Sequence, residues 1–546
     1  MALIQTQSQL FGTALDWGIS HNSLEQPLAG QNTVKSGDGP SSVKAFVRLP
    51  PCESTGHLLQ CLSNSISPFI TLIDPQWPTY ATTFNERLQY IPAAITIPNT
   101  TEQIRAAVSC ASKYGIPVQA KSGGHSCASY STGGHNGILM IDLEKFNSVS
   151  IDYRTGIATV GGGLRLGNLA QGIWDQGRRA LGHGTCPGVG IGGHFTHGGY
   201  GYSSRAFGLA LEQIIWLDVV LANGSFVKIE NETLGDVYYA LRGAADSFGI
   251  VTTFYLQTST APEVVIKFSH SFPQALELIE NATVVFMGVQ NFSLYSPVVD
   301  RNLGLAVTLG GNATSYTVHG TWFGSVESFN KTIAPALLEA LPVSPALNES
   351  SVEPADWITS LTMLGGEGNS TVPLHGFLQQ DNFYAKSVST NVSFAEEPIR
   401  KFFEYAYSAG RGLNVPISWF SIIHLYGGPD SQIGAEGKNG SWAAYSGFDD
   451  LWMVQNYGNV PLDQNFPQRG IQFLDGLNDA MTSAMNRSYN ACLNYIDPEL
   501  DTDEAWHLYY GKPLFERLKS LKRDLDPGDI FWNPQSIPVW NDTWVL

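Results

Sequence analysis

The sequence predicts an α+β protein of two units with a returning tail, and three observations predict it. A strand, helix, strand run ends in a glycine turn between Tyr90 and Ser126. Short β-rich runs then recur to about residue 261. Beyond Ala261, long alternating strands interleave with helices, the pattern of a sheet covered on one face by helices.

Taken in order, residues 1–55 are rich in Ser, Gly, Gln and Pro without a sustained period and read as a loosely ordered leader. IPAAITIP reads as a strand, TEQIRAAVSCASKYG as a helix with apolar positions at helical spacing, and IPVQAKSGGHS as a strand entering a glycine turn. GILMIDL, SVSIDY, GIATVGGG, IIWLDVVLANGSFVKI and GIVTTFYLQT supply further strands, with helices at LRLGNLAQGIWDQG and VYYALRGA, so residues 86–261 form one glycine-rich unit. VVIKFSHSF, LGLAVTLGG and SYTVHGTWFG, with the helix SVESFNKTIAPALLEAL, open a second unit over 262–485. Residues 486–540 form a tail whose amphipathic helix PLFERLKSLKRDL stops at Asp526, Pro527 and Gly528.

Hydrophobic residues make up 43% of the chain and charged residues 14%, enough for large cores and too apolar for disorder. The formal charge of −18 argues against a nucleic-acid partner, which needs clustered Lys and Arg. No apolar run approaches the ~20 residues of a membrane span, so a soluble chain is expected, acting as a monomer. Thirteen Asn-x-Ser/Thr sequons fit glycosylation and a secreted protein, although the N-terminus shows no basic n-region or unbroken apolar h-region. The six cysteines lack CxxC zinc spacing, and no metal is expected.

Two segments carry chemistry. In AKSGGHSCASYSTGG, Gly123 and Gly124 precede His125 and let backbone approach a ligand and aim N–H groups at an anion such as pyrophosphate. In GHGTCPGVGIGGHFTHGGYG, Cys186 sits in a stretch too poor in apolar side chains for an ordinary core, which suits a bulky planar ligand. The alternatives are a disulfide half at Cys186 and a metal site at His183, His194 and His197. The second lacks a carboxylate or another cysteine at ligand spacing.

These segments, together with ALRGAADSFGIVTTF, LNYIDP and DPGDIFWNPQSIP, occur in an order that resembles the berberine-bridge-enzyme-like branch of the vanillyl-alcohol-oxidase superfamily, from about residue 86 to 540. Within that branch the chain is similar to fungal glucooligosaccharide and related oligosaccharide oxidases. The resemblance implies an FAD-binding PCMH-type domain of two subdomains plus a substrate domain. It implies FAD bound bicovalently, through His125 to the 8α-methyl and Cys186 to C6, with Ser122, Gly123, Gly124, Ser126, Val189, Gly190, Gly193, His194, Gly199, Ile250, Val251, Asn533 and Gln535 around the cofactor. It also implies a Cys61–Cys110 disulfide and an oxygen gate at Val189, where valine is typical of oxidases that use O2.

Tyr495 matches the family's general base, and His424 stands where the sugar oxidases have an aspartate that assists it. An ordinary phenol near pKa 10 needs such help, and a histidine near 6.5 would place an acidic limb on the rate. Cys127, Phe420 and Ile422 replace a tyrosine, a tryptophan and a glutamine, which suggests a less polar pocket. The expected activity is hydride transfer from a carbinol carbon, an oligosaccharide anomeric C–OH first, to FAD and then to O2. The alternative is a less polar secondary metabolite, with or without oxidative ring closure.

Overall fold

The computed structural model describes residues 52–230, 235–366, 368, 370–411, 415–435, 442–486 and 489–539. The leader assigned to residues 1–55 lies outside these for residues 1–51. The remainder opens the helix Cys52–Ser63, so that boundary is corrected.

Two larger sheets precede residue 261, besides a two-stranded pairing of Arg179–Ala180 with Ser259–Thr260. In the first, Phe69–Ile70, Ala94–Thr96, Leu139–Asp142 and Val118–Lys121 lie in that order, the last three mutually parallel. The helix Thr101–Tyr114 connects two of these strands. Thr100 caps it, its Oγ1 accepting from Gln103 N, and Gly115 at φ 64° ends it, which is the punctuation its sequence carries. A disulfide joins Cys61 to Cys110 and so ties the helix Cys52–Ser63 to this one. The second sheet is antiparallel, in the order Val149–Asp152, Ile157–Gly161, Gly249–Gln257, Ile214–Leu221, Phe226–Ile229.

The third sheet has seven antiparallel strands: Ala346–Ala355, Val265–Ser271, Ser315–Trp322, Leu303–Gly310, Ser418–Leu425, Trp452–Val460 and Asn382–Thr390. The helices Ile279–Tyr295, Glu396–Ala409 and Gln468–Thr482 cover one face, as expected, with Phe286, Phe403 and Leu474 in the largest apolar core. Period-two alternation decides what faces the other way. Along Ser418–Leu425, Trp419, Ile423 and Leu425 enter that core, while Phe420, Ile422 and His424 face a cavity between this sheet and the glycine turns.

The tail returns to the first two sheets. Val118 N donates to Ile530 O at 2.7 Å. Lys522, fully buried, donates to Ser247 O and Phe531 O and pairs with Asp526, each at 2.8 Å. The carboxylate of Asp526 also accepts from Ile530 N and Phe531 N, both at 2.9 Å. The helix carrying Lys522, Thr502–Leu525, breaks at Gly511, whose φ of 64° and ψ of 164° are open to glycine and strained for other residues. Among the described residues no helix is long and apolar enough to cross a membrane.

Candidate active site

The turn after strand Val118–Lys121 and the segment 186–190 meet backbone to backbone. A Cβ on Gly190 would lie 2.0 Å from Gly123 N, and one on Gly123 would lie 2.3 Å from Gly190 N, so neither position admits a side chain. Ser122 Oγ donates to Gly162 O at 2.7 Å and accepts from Gly192 N at 3.2 Å, which binds the two turns together. A Cβ on Gly188 would lie 2.9 Å from His125 Nε2. This packing brings His125 beside the segment that carries Cys186.

Both residues line a cavity of about 580 Å³, within the range of cofactor sites. Ser122, Gly123, Gly124, Ser126, Val189, Gly190, Gly193, His194 and Gln535 line it too, as do Tyr495 and His424. Burial, and then the Arg165 charge, push His125 down to about 3 and leave a neutral imidazole. His194 is also pushed by burial to about 3, and its Nε2 accepts from Gly184 N at 2.9 Å.

On the opposite wall, Tyr457 stacks between Phe383 and Phe420, at ring-centroid distances of 4.7 and 5.1 Å. Its hydroxyl donates to Asp381 at 2.5 Å, so the ring is presented to the cavity while its polar end is held behind. Register places Gln455 opposite Ile422 and Tyr457 opposite Phe420 on paired strands. An aromatic platform and an amide therefore stand at this wall although Phe420 and Ile422 supply neither a tryptophan nor a glutamine, which corrects the expectation drawn from those two positions alone.

The chain matches the FAD binding domain family over residues 92–230 and the berberine and berberine-like family over 491–538. It is 36% identical over 488 residues to the xylooligosaccharide oxidase of Thermothelomyces thermophilus, covering 88% of this chain and 93% of that one. The chain belongs to the berberine-bridge-like family of FAD-linked oxidoreductases. As a member it binds FAD and is an oxidoreductase. A solved glucooligosaccharide oxidase from Acremonium strictum, whose FAD is 6-S-cysteinyl and 8α-N1-histidyl, superposes with a TM-score of 0.81 at 29% identity, covering 89% of this chain and all of that one. The FAD-linked oxidoreductase dpmaF of Metarhizium anisopliae is 33% identical, covering 93% and 94% of the two chains.

Four residues expected around FAD do not line the cavity. Ile250 and Val251 belong to the strand Gly249–Gln257, with side chains buried in two cores. Gly199 packs against Ala210 and His194 and donates its N–H to Asn494 Oδ1 at 2.8 Å. Asn533 stands one layer back, donating at 2.7 Å to Asp246, which does line the cavity. The other oxygen of Asp246 meets His197 Nε2 at 3.2 Å. This carboxylate is 49 residues away in sequence, so no local spacing signals it.

His424 and Tyr495 make no hydrogen bond with each other. His424 Nδ1 is buried without a partner, and the ring meets Tyr200 and Tyr202, each at 5.5 Å. Burial, with His319 second, pushes His424 down to about 3, so the acidic limb expected at an ordinary histidine pKa is corrected: the ring stays neutral far below pH 6.5. Burial raises Tyr495, with Cys492 and Cys127 adding to it, which keeps the phenol protonated.

These shifts bear on stability. The folded-state values of His194, His319 and His424 are about 3, 4 and 3, below the ordinary 6.5. The unfolded chain then binds protons that the folded protein does not, so stability is full above pH 6.5 and is lost as pH falls toward 4 and below. Thermal midpoints are expected to drop across that window. His424→Gln, with one such site fewer, is expected to drop less than the parent.

Proposed function

We propose that the protein is a bicovalent flavin oxidase, with FAD attached through His125 and Cys186, that takes hydride from a carbinol carbon held against the Phe383–Tyr457–Phe420 platform. The leading substrate is the anomeric C–OH of an oligosaccharide, giving a lactone and, with O2, H2O2. The observation that carries this reading is the convergence of His125, Cys186 and Tyr495 on one cavity. FAD supplies the hydride acceptor and the route of electrons to oxygen. The glycine cradle at Gly123, Gly188 and Gly190 suits a ligand lying against backbone.

In this reading Tyr495 receives the carbinol proton. Since the phenol is protonated at rest, it acts as a relay: its oxygen accepts the substrate proton while its own proton moves on. Neutral His424 keeps a ring nitrogen able to take that proton, reached through substrate or a solvent molecule. Gln455 and Gln379 supply amide groups for substrate hydroxyls, and the stacked rings supply a face for a sugar ring.

The less polar alternative is favoured by one observation. Several wall hydroxyls point away from the cavity: Tyr457 bonds Asp381, Tyr200 bonds Leu425 O at 2.8 Å, and Tyr202 reaches His319 at 3.3 Å. These three hydroxyls are thereby unavailable to a ligand. Anaerobic bleaching of the flavin spectrum by a panel of oligosaccharides and of aryl or alkyl carbinols decides between the two. If no carbinol reduces the flavin, both readings fail.

Two outcomes test the cofactor assignments. Acid precipitation is expected to leave a yellow pellet, with flavin retained by His125→Ala or Cys186→Ala and released only by the double variant; a yellow wild-type supernatant overturns this. Val189 lines the cavity, and in this reading its small side chain leaves O2 a path to the flavin. Val189→Leu is expected to slow reoxidation by O2, followed by stopped flow, and to leave reduction by substrate little changed.

A further inference from the structure

A nucleophilic or metal-binding histidine is ordinarily oriented by a hydrogen bond to its second ring nitrogen. His125 has none among the described residues. Two phenyl rings hold it instead: Phe84 stacks on it at 4.0 Å with planes 17° apart, and Phe377 meets it edge-on at 5.6 Å. Neither phenylalanine belongs to the glycine turn. Phe377 arrives on the long connection between the helix Trp357–Gly365 and the strand Asn382–Thr390 of the seven-stranded sheet.

That connection is anchored across the FAD-binding unit. Ser370 Oγ donates to Gln171 Oε1 at 2.6 Å, Asn168 Nδ2 donates to Val372 O at 3.1 Å, and Arg165 donates to Gly376 O at 2.5 Å. His375 Nδ1 lies 2.5 Å from Glu144 Oε2, and Gln380 Nε2 donates to Thr83 O at 2.7 Å. The turn is shaped to receive it: Gly124 has φ 73°, and a Cβ there would lie 3.0 Å from Phe377 Cζ. Residues 370–380 run without helix or strand, and long loops of this kind are often functional.

We propose that residues 370–380 form a clamp which, with Phe84, fixes the His125 ring for bond formation to the flavin. The inference rests on the reading that His125 is an attachment point. Ring contacts fix the orientation and exclude water without occupying the nitrogen that forms the bond, so they take over the orienting role that a hydrogen bond to the second nitrogen ordinarily plays. In the step served, His125 gives up its N–H proton and forms an N–C bond to the 8α carbon, whose methyl group gives up a proton. The flavin holds the resulting two electrons and two protons until O2 removes them as H2O2.

The test follows attachment rather than turnover. Protein purified from riboflavin-limited cells is mixed with FAD in air, and the peptides bearing His125 and Cys186 are weighed over time. Phe377→Ala is expected to slow flavin addition at His125 on the order of 10–100-fold, the cost of losing a fixed reacting geometry, with addition at Cys186 unchanged. Phe377→Leu, which keeps apolar cover without the ring, and Glu144→Gln, which loosens the anchor without touching His125, keep the test decisive should Phe377→Ala not fold. Both are expected to slow His125 alone. Equal slowing at both sites, or wild-type rates at His125 in all folded variants, overturns the clamp. A wild-type His125 peptide that never gains flavin mass overturns the attachment reading itself.

Discussion

Tyr495→Phe is expected to slow flavin reduction by substrate about 10²–10⁴-fold, the range for losing a positioned proton acceptor, with FAD still attached. The size follows from the site's composition. The thiols beside Tyr495 cannot substitute, because burial first of all pushes Cys127 up to about 12 and Cys492 up to about 11. His424 makes no hydrogen bond to the phenol, so it can receive only the proton that Tyr495 releases as it accepts the substrate's. Single-turnover reduction in a stopped-flow spectrometer reads this step apart from reoxidation. A change of less than tenfold removes Tyr495 from the proton path.

Asp526→Ala is expected to destabilise the protein by up to about 3–5 kcal/mol, the range for removing one partner of a buried ion pair, with the half-buried Asp529, whose Oδ1 lies 3.2 Å from Lys522 Nζ, offsetting part of the loss. Lys522 and Asp526 are both fully buried, and the carboxylate also holds two backbone N–H groups of the returning tail. Asp526→Asn keeps an oxygen acceptor and loses the charge, so an intermediate loss is expected. Urea midpoints compare the three proteins. The return of residues 530–533 to the first sheet and to Asp246 depends on this pair, so the tail is expected to be clipped by protease first in Asp526→Ala. A stability within about 1 kcal/mol of the parent would mean that Lys522 is satisfied by Ser247 O, Phe531 O and Asp529.

The aromatic wall shows how far local pattern reaches. Phe420 and Ile422 are readable as strand residues two apart, and hence on one face. The partners that complete their chemistry, Tyr457 and Gln455, lie on the neighbouring strand, and only the pairing register sets them opposite. The same limit applies at Asp246 and at Phe377, each brought to a histidine by chain that lies far off in sequence. His424 was legible as a residue at the site, but its charge state was not, since desolvation is a property of the assembled cavity.

What this sequence determined by itself was whatever depends on neighbours along the chain. The glycine turns that seat His125 and Cys186, the capped helix Thr101–Tyr114, the alternation that turns one face of a sheet to helices and the other to a cavity, and the ordered motifs of an FAD-linked oxidoreductase all follow from local backbone freedom and side-chain period. The tertiary structure alone decided which residues meet across the cavity. It supplied Gln455 where Ile422 withholds an amide, set the Ile250 and Val251 side chains in the cores, pushed His424 down toward the neutral form, and set Phe84 and Phe377 against the His125 ring. Each of these depends on contact or burial between segments distant in sequence, whose free energy arises only when the sheets have packed around the cavity.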